Sequence, residues 1–177
     1  MSRELVANIE SEYRRYRALG EKAMSQLSDH ALNRIAATDG NSIAMVVRHL
    51  SGNLLSRFTD FLTTDGEKPW RNRDGEFETR EYSRAETDQM WKDGWGVLER
   101  ELASLTDDAL RREVKIRQQS LTVQEALLRS LAHAAYHVGQ MVLLARIFAH
   151  EEWKSLSIPK GKSEEYNRAP TLEKGLR

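Results

Sequence analysis

The segment 131–144, which reads LAHAAYHVGQMVLL, constrains the fold of this chain more than any other stretch. It is apolar and rich in alanine, and it places His133 and His137 four residues apart. Residues at i and i+4 lie one above the other on a helix, so the two imidazoles share a face. Met141 and Leu144 continue that face, which is therefore predicted to point into a core. A buried polar group without a partner costs about 1–3 kcal/mol, so each imidazole needs a partner.

Two interpretations of this histidine pair remain open at this point. In the first, both side chains are core histidines whose nitrogens are satisfied by hydrogen bonds, with or without a bridging water. In the second, they are two ligands of a metal ion. The HxxxH spacing is common by chance, so the second interpretation depends on a third ligand elsewhere in the chain.

Composition excludes several classes of function. The chain has no cysteine, which excludes disulfides, thiolate metal sites and a cysteine nucleophile, and fits a cytoplasmic protein. Its 27 basic and 27 acidic residues balance, so charge gives no argument for binding nucleic acid or an anionic membrane. We find no signal-peptide core and no run near the roughly 18 apolar residues of a membrane helix.

Four amphipathic segments predict an all-α four-helix bundle that forms a single domain over residues 1–177. The first carries a seam of apolar and small residues in steps of three and four. The second begins after a good N-cap, Asn41 or Ser42. The third and fourth open with the capping boxes SRAE and TVQE. The predicted helices span about 3–27, 42–64, 84–105 and 123–150.

The segments between and after these helices also carry predictions. Residues 65–82 form a long connection between the second and third helices, which Trp70 is expected to pin to the bundle. Residues 113–121 are expected to be extended, as a strand or a hairpin arm. The tail from Glu151 contains Trp153 and Leu156, so we expect it to lie over the bundle, with the last ten or so residues mobile.

A third histidine stands in the middle of the second helix. If the second and fourth helices are neighbours, His49 can meet His133 and His137. Three neutral imidazoles leave a coordination position open, and they suit zinc, nickel, iron or cobalt. A di-iron carboxylate centre is disfavoured because these helices contain no Glu-x-x-His, and bis-histidine haem fits three histidines poorly.

Two neighbours of His49 are informative. Gly52 in a helix interior costs about 1 kcal/mol relative to alanine, which is tolerated more readily where another group approaches closely. Asn53 lies one turn after His49. It either lies beside the metal and substrate or caps a neighbouring loop.

The histidine pattern resembles that of the DinB-like (YfiT-type) metal-binding bundles. The resemblance is seen in RHLSGN on the second helix and in HAAYHVGQ on the last long helix, and HxxxHxGQ is its most specific part. The segments LSGNLLSRFTDFLTTDGEKPWR and LSIPKGKS resemble one DinB-related subfamily without an assigned activity. The resemblance implies an up-down-down-up helix order, a homodimer, and a divalent metal ion on His49, His133 and His137. Tyr136 and Gln140 are then expected near the ion.

Relatives of this fold include transferases and isomerases that use low-molecular-weight thiols, and proteins classed as metal-dependent hydrolases. The resemblance therefore implies an enzyme that activates an exogenous thiol or water for a small-molecule substrate. The alternatives are a hydrolase, a metal-binding stress or binding protein without turnover, and a purely structural bundle. No residue stands out as a general base. Trp91 and Trp95 are expected either in the core or at the dimer interface.

Overall fold

The computed structural model describes residues 2–171 and is mostly helical, in agreement with the predicted all-α class. The part of the predicted mobile end that falls on residues 172–177 lies outside the described residues. Within the described range, no helix is both long and apolar enough to cross a membrane. The elements are α1 Glu4–Met24, α2 Asp29–Asn33, α3 Ile43–Phe58, α4 Arg84–Ser104, β1 Glu113–Ile116, β2 Gln119–Thr122, α5 Val123–Ala149 and α6 Ser163–Asn167, with 3-10 turns at Asp74–Phe77, Asp107–Arg111 and His150–Glu152.

Local capping chemistry sets the starts of the long helices. The Ser42 hydroxyl accepts a hydrogen bond from the backbone N–H of Met45 and begins α3. Ser83 and Thr122 each form a complete capping box, with Glu86 and Glu125 respectively, at the starts of α4 and α5. Because such caps satisfy backbone groups that a helix start leaves unpaired, these three starts could be predicted from sequence, and the structure confirms them.

The core lies between α1, α3, α4 and α5. Helix α3 packs on α4, α1 packs on α5, and α3 also contacts α5. The rings of Trp91 and Trp95 lie 5.3 Å apart and both side chains are buried, which places them in the core rather than on a free surface. A Cβ at Gly94 would lie 2.7 Å from the Cα of Ser51, so the absence of a side chain lets α3 and α4 approach closely.

Helix α3 ends earlier than predicted, at Phe58 rather than near Thr64. The backbone becomes extended at Thr59, and Asp60 adopts a positive φ of 51°. Phe61 nevertheless packs on Phe58, with ring centroids 5.0 Å apart, and is buried. The apolar pattern therefore continues past the end of the helix, which is why periodicity alone placed the end too late.

The connection between α3 and α4 is not pinned by Trp70, contrary to the prediction, because 57% of that side chain is exposed. Buried polar groups hold it instead. The Lys68 ammonium donates to Thr64 and to the carbonyl of Asp65, and Glu76 is buried at the 3-10 turn. This arrangement carries a carboxylate from the connection into the interior.

Residues 113–122 form a two-stranded antiparallel hairpin, as expected for an extended segment, with Glu113 opposite Thr122 and Ile116 opposite Gln119. Arg117 and Gln118 make the turn with positive φ values of 54° and 65°. The Asp65 carboxylate accepts a hydrogen bond of 2.8 Å from the backbone N–H of each of these two residues. The hairpin tip is thereby tied to the start of the α3–α4 connection.

Neutralising Asp65 should lower stability at neutral pH but not at strongly acidic pH. Backbone hydrogen bonds from Glu67 and Gln118 hold the pKa of Asp65 below its usual 3.8. A carboxyl with a lowered pKa stabilises the fold above its unfolded-state pKa, and this contribution is lost as the pH falls through the folded-state value. Because the group is well solvated, we expect Asp65→Asn to cost only about 1 kcal/mol at pH 7.

Urea unfolding near pH 7 and well below pH 3.8 measures this difference, with Asp88→Asn on the exposed side of α4 as the control. A cost that does not change with pH would show that the charge of Asp65 contributes nothing.

The first part of the tail after α5 packs on the body of the protein, as predicted, whereas most described residues from Pro159 onward are exposed. Trp153 and Leu156 are partly buried against the core. The backbone N–H of Lys154 donates to Gln26 Oε1 at 2.7 Å, and Gln26 Nε2 donates back to the Lys154 carbonyl at 3.1 Å. Apolar contacts and this reciprocal pair of hydrogen bonds together fix the tail beside the end of α1.

Candidate metal centre

Three histidines from two helices meet between α3 and α5. His49 lies in the middle of α3, and His133 and His137 lie one turn apart on α5. Their candidate ligand atoms all lie within 4.8 Å of one another. The structure therefore confirms the predicted convergence of these three side chains, which follows from the direct contact of α3 with α5.

The spacing of the ring nitrogens suits a small cation. His49 Nε2 and His133 Nε2 are 3.1 Å apart. Two nitrogens bound at 2.0–2.1 Å to one tetrahedral ion would be separated by about 3.4 Å. Two imidazole nitrogens this close need either a proton on one of them or a cation between them, since two lone pairs repel each other. The geometry is thus compatible with a shared metal ion.

A buried carboxylate orients His49. Glu76 Oε2 lies 2.8 Å from His49 Nδ1, and Arg71 donates two hydrogen bonds of 2.8 and 2.9 Å to the same carboxylate. Burial raises the pKa of Glu76, but the hydrogen bonds from His49 and Arg71 outweigh it and leave this pKa below its ordinary value. An ionised Glu76 fixes the proton of His49 on Nδ1, which leaves Nε2 free to bind a metal.

Glu76 was missed by the sequence analysis, although one signal pointed to it. A Cβ at Gly52 would overlap the Glu76 carboxylate, so the glycine is required by this close approach. The expectation that another group approaches Gly52 is therefore confirmed. The identity of that group could not be deduced, because Glu76 lies 24 residues further along in an irregular connection.

Gln140 orients the second ligand on α5. His137 Nδ1 lies 2.9 Å from Gln140 Oε1, so the amide oxygen accepts the Nδ1 proton and Nε2 is the free nitrogen. Gln140 was predicted to lie near the ion, and it contacts a candidate ligand directly. The same logic thus applies to His49 and His137: a neighbouring oxygen holds one ring nitrogen and exposes the other.

The imidazoles of α5 favour their neutral form. Burial, followed by the repulsion that a protonated His137 or His49 would exert, lowers the pKa of His133 to about 4. Burial also lowers the pKa of His137, against a smaller opposing effect of the Gln140 hydrogen bond. Neutral imidazole is the form that binds metal ions.

The histidines form one wall of a cavity of about 440 Å³. Asn53, Tyr136 and Gln140, the three residues predicted to flank the ion, all line this cavity. The Tyr136 ring lies 5.0 Å from that of His137, and 63% of its side chain is exposed at the cavity mouth. Within residues 2–171, Asn53 makes no hydrogen bond that would cap a loop.

No aspartate or glutamate of the described residues lines the cavity, and Glu76 is directed at His49 and Arg71. The histidine cluster therefore offers at most three protein ligands to a cation, and it faces the cavity. A catalytic metal site has this composition, whereas structural zinc sites use four protein ligands.

Comparison with known proteins identifies the family. Residues 1–162 match the model of a family described as "Protein of unknown function (DUF1572)". No curated protein and no solved structure matches the chain. The family match spans every element that builds the histidine cluster, from α1 to the end of α5. The chain belongs to the DUF1572 family.

Proposed function

We propose that this protein is a DinB-like metal-dependent enzyme in which His49, His133 and His137 hold one divalent ion. A small exogenous thiol, or water, occupies the open coordination position. We also propose that residues 1–177 form a single domain whose four long helices follow the up-down-down-up order of DinB-like bundles. The sequence resemblance and the family match support this proposal.

The single observation that carries the proposal is the combination of three convergent imidazoles with an adjoining cavity. Core histidines also need hydrogen-bond partners, but here Glu76 and Gln140 hold Nδ1 of two different imidazoles and leave both Nε2 atoms available to one ion. A cavity of about 440 Å³ is large enough for a small-molecule substrate beside the ion.

The residues around the site have separable tasks. Glu76 and Gln140 hold the imidazole rings in position, and Tyr136 lies at the mouth of the cavity. A divalent ion on three neutral ligands, when bound, lowers the pKa of a coordinated water and deprotonates a coordinated thiol. The chain has no cysteine, so any thiol that reacts here must come from solution.

The test is a comparison of turnover with and without added thiol. Metal-loaded protein is incubated with an electrophilic acceptor, and in parallel with simple esters and amides, in the presence or absence of bacterial low-molecular-weight thiols. We expect thiol-dependent consumption of the electrophile. Hydrolysis of esters or amides at equal rates without thiol would reject the transferase and favour a hydrolase. No turnover in any arm would favour a metal-binding protein without catalysis.

We also propose a homodimer, formed through an exposed apolar stripe of α5. Tyr136, Leu143 and Ile147 are more than half exposed and share one side of the helix. A Cβ at Gly139, in the same stripe, would meet nothing within 4 Å, so a second helix can approach the backbone there. Since Trp91 and Trp95 are buried in the core, the surface of α5 is the better candidate for pairing.

Light scattering at micromolar concentration should give a dimeric mass for the wild type and a monomeric mass for Leu143→Glu, because a buried unpaired charge destabilises an interface. Leu5→Glu, at an equally exposed leucine of α1, is the matched control and should remain dimeric. A monomeric wild type would refute the dimer.

A further inference from the structure

The cavity beside the histidines carries an excess of positive charge. Five arginines line it, and no carboxylate of the described residues does. The whole chain has a formal net charge of zero, so this concentration of cations is local and not a property of the overall composition. The five come from separate parts of the fold: Arg57 on α3, Arg71 and Arg73 on the connection, Arg117 at the hairpin tip and Arg129 on α5.

Three of these arginines are partly or fully neutralised. Arg71 is paired with Glu76 in the buried contact that orients His49. Arg57 and Arg117 share a single carboxylate, Glu67, at 3.3 and 2.7 Å. Burial, together with the charges of Arg71 and Arg117, lowers the pKa of Arg57 despite the Glu67 pairing. Arg71 therefore has a carboxylate of its own, whereas Arg57 and Arg117 have one carboxylate between them.

The other two arginines are available to a ligand. Arg129 has no ion-pair partner among residues 2–171, and it lies one helical turn before His133 on α5. Arg73 is 3.7 Å from Asp74, whose side chain is almost fully exposed, so this pair is weak. The Arg73 guanidinium also lies over the Phe77 ring, which packs 4.7 Å from the His49 ring. Both arginines are solvent-exposed and line the same cavity as the histidine cluster.

The remaining cavity wall is apolar. Phe61, Phe77 and Ile116 contribute rings and aliphatic groups to the same lining. A ligand that satisfies the whole surface combines a negatively charged group with a compact apolar body. Guanidinium groups bind carboxylate and phosphate oxygens through paired hydrogen bonds.

We infer that the cavity binds a small organic anion, a carboxylate or a phosphate ester, whose charged group is held by Arg129 and Arg73 beside the metal position. This inference deepens the proposed function and rests on it for its biological meaning, since the anion would be the substrate or co-substrate of the metal site. The arginine contacts themselves do not require the ion, which makes them testable separately.

Isothermal titration calorimetry of the full chain at low ionic strength tests the inference. Phenylacetate, its neutral counterpart phenylacetamide, and inorganic phosphate are titrated into metal-free protein and, in parallel, into cobalt-loaded protein. The metal-free arm removes direct binding of the anion to the ion. The variants are Arg129→Gln and Arg73→Gln. Arg146→Gln, exposed on the same helix as Arg129 but outside the cavity, is the matched control.

We expect phenylacetate to bind at least about tenfold more tightly than phenylacetamide, a difference equivalent to about 1.4 kcal/mol. Arg129→Gln and Arg73→Gln should each weaken the binding of phenylacetate by about tenfold, while Arg146→Gln should not change it. Displacement of phenylacetate by phosphate would support phosphate esters as ligands. Binding of phenylacetate without competition by phosphate would support carboxylates.

Equal affinity for phenylacetate and phenylacetamide, equal loss in Arg146→Gln, or no binding of either anion would overturn the inference. Cobalt binding by the same samples separates this result from the proposed function. Binding of cobalt without binding of either anion would reject the anion site but not the metal site. Binding of phenylacetate that depends on Arg129, in protein that takes up no cobalt, would reject the proposed metal enzyme and support the anion site.

Discussion

His137→Ala is expected to abolish tight metal binding and all metal-dependent turnover while leaving the protein helical. The substitution removes one of three candidate ligands, and two neutral imidazoles bind a divalent ion weakly. The wild type should be stabilised by its ion, by about 2.7 kcal/mol when free metal is at 100 times its dissociation constant. This metal-dependent increment should be absent in the variant.

Thermal unfolding by circular dichroism, with and without added zinc, measures both effects at once. His30→Ala is the matched control, because His30 is exposed on α2 and outside the cluster. Retention by His137→Ala of the wild-type increment with zinc would mean that His137 is a core histidine and not a ligand.

Glu76→Ala should be the most destabilising single substitution around the site. It removes the partner of Arg71, whose side chain is only 2% exposed, and leaves that guanidinium buried without a counter-charge. Breaking a buried ion pair by removing one partner costs about 3–5 kcal/mol. It also frees the ring of His49, because Nδ1 loses its acceptor. Loss of such an orienting group typically weakens metal affinity by about 10–100-fold.

Urea unfolding of the metal-free protein isolates the stability effect, and a competition titration with a chelator isolates the metal effect. Glu78→Ala, on the exposed side of the same connection, is the matched control for both. Glu76→Gln keeps two hydrogen-bonding atoms and should fall between Glu76→Ala and the wild type in each measurement. A stability of Glu76→Ala equal to that of the control would show that Arg71 finds another partner and that the buried pair is dispensable.

The parts of the fold that depend on neighbouring residues could be predicted from the sequence. Caps at Ser42, Ser83 and Thr122 act within three residues, so their sequence signatures located three helix starts. The apolar seam predicted for the first helix likewise follows from helical periodicity, and Val6 and Tyr13, which belong to it, are buried.

Two features that depend on tertiary context were predicted wrongly. The extended backbone at Thr59 ends α3 although Phe61 continues the apolar pattern, so the helix was drawn too long. Trp70 was expected to anchor the α3–α4 connection because it is large and apolar. The connection instead enters the interior through Lys68 and Glu76, and size and hydropathy give no indication of such buried polar contacts.

The candidate site, like the fold, could be predicted from the sequence only in part. The i, i+4 spacing placed His133 and His137 together, and the assumption that the second and fourth helices are neighbours added His49, which the structure brings to the same point. Glu76 and the free arginines of the cavity come from elements that sequence alone could not bring together. Gly52 was the one local sign of the carboxylate, because only a residue without a side chain tolerates its approach.

The most direct test of the metal centre is elemental analysis of the wild-type protein purified without chelator and then incubated with a divalent metal and desalted. The three-histidine site predicts about one tightly held ion per chain, lost in both His49→Ala and His137→Ala. A wild-type protein that retains no zinc, nickel, iron or cobalt would contradict the account and leave the three histidines as hydrogen-bonded core residues.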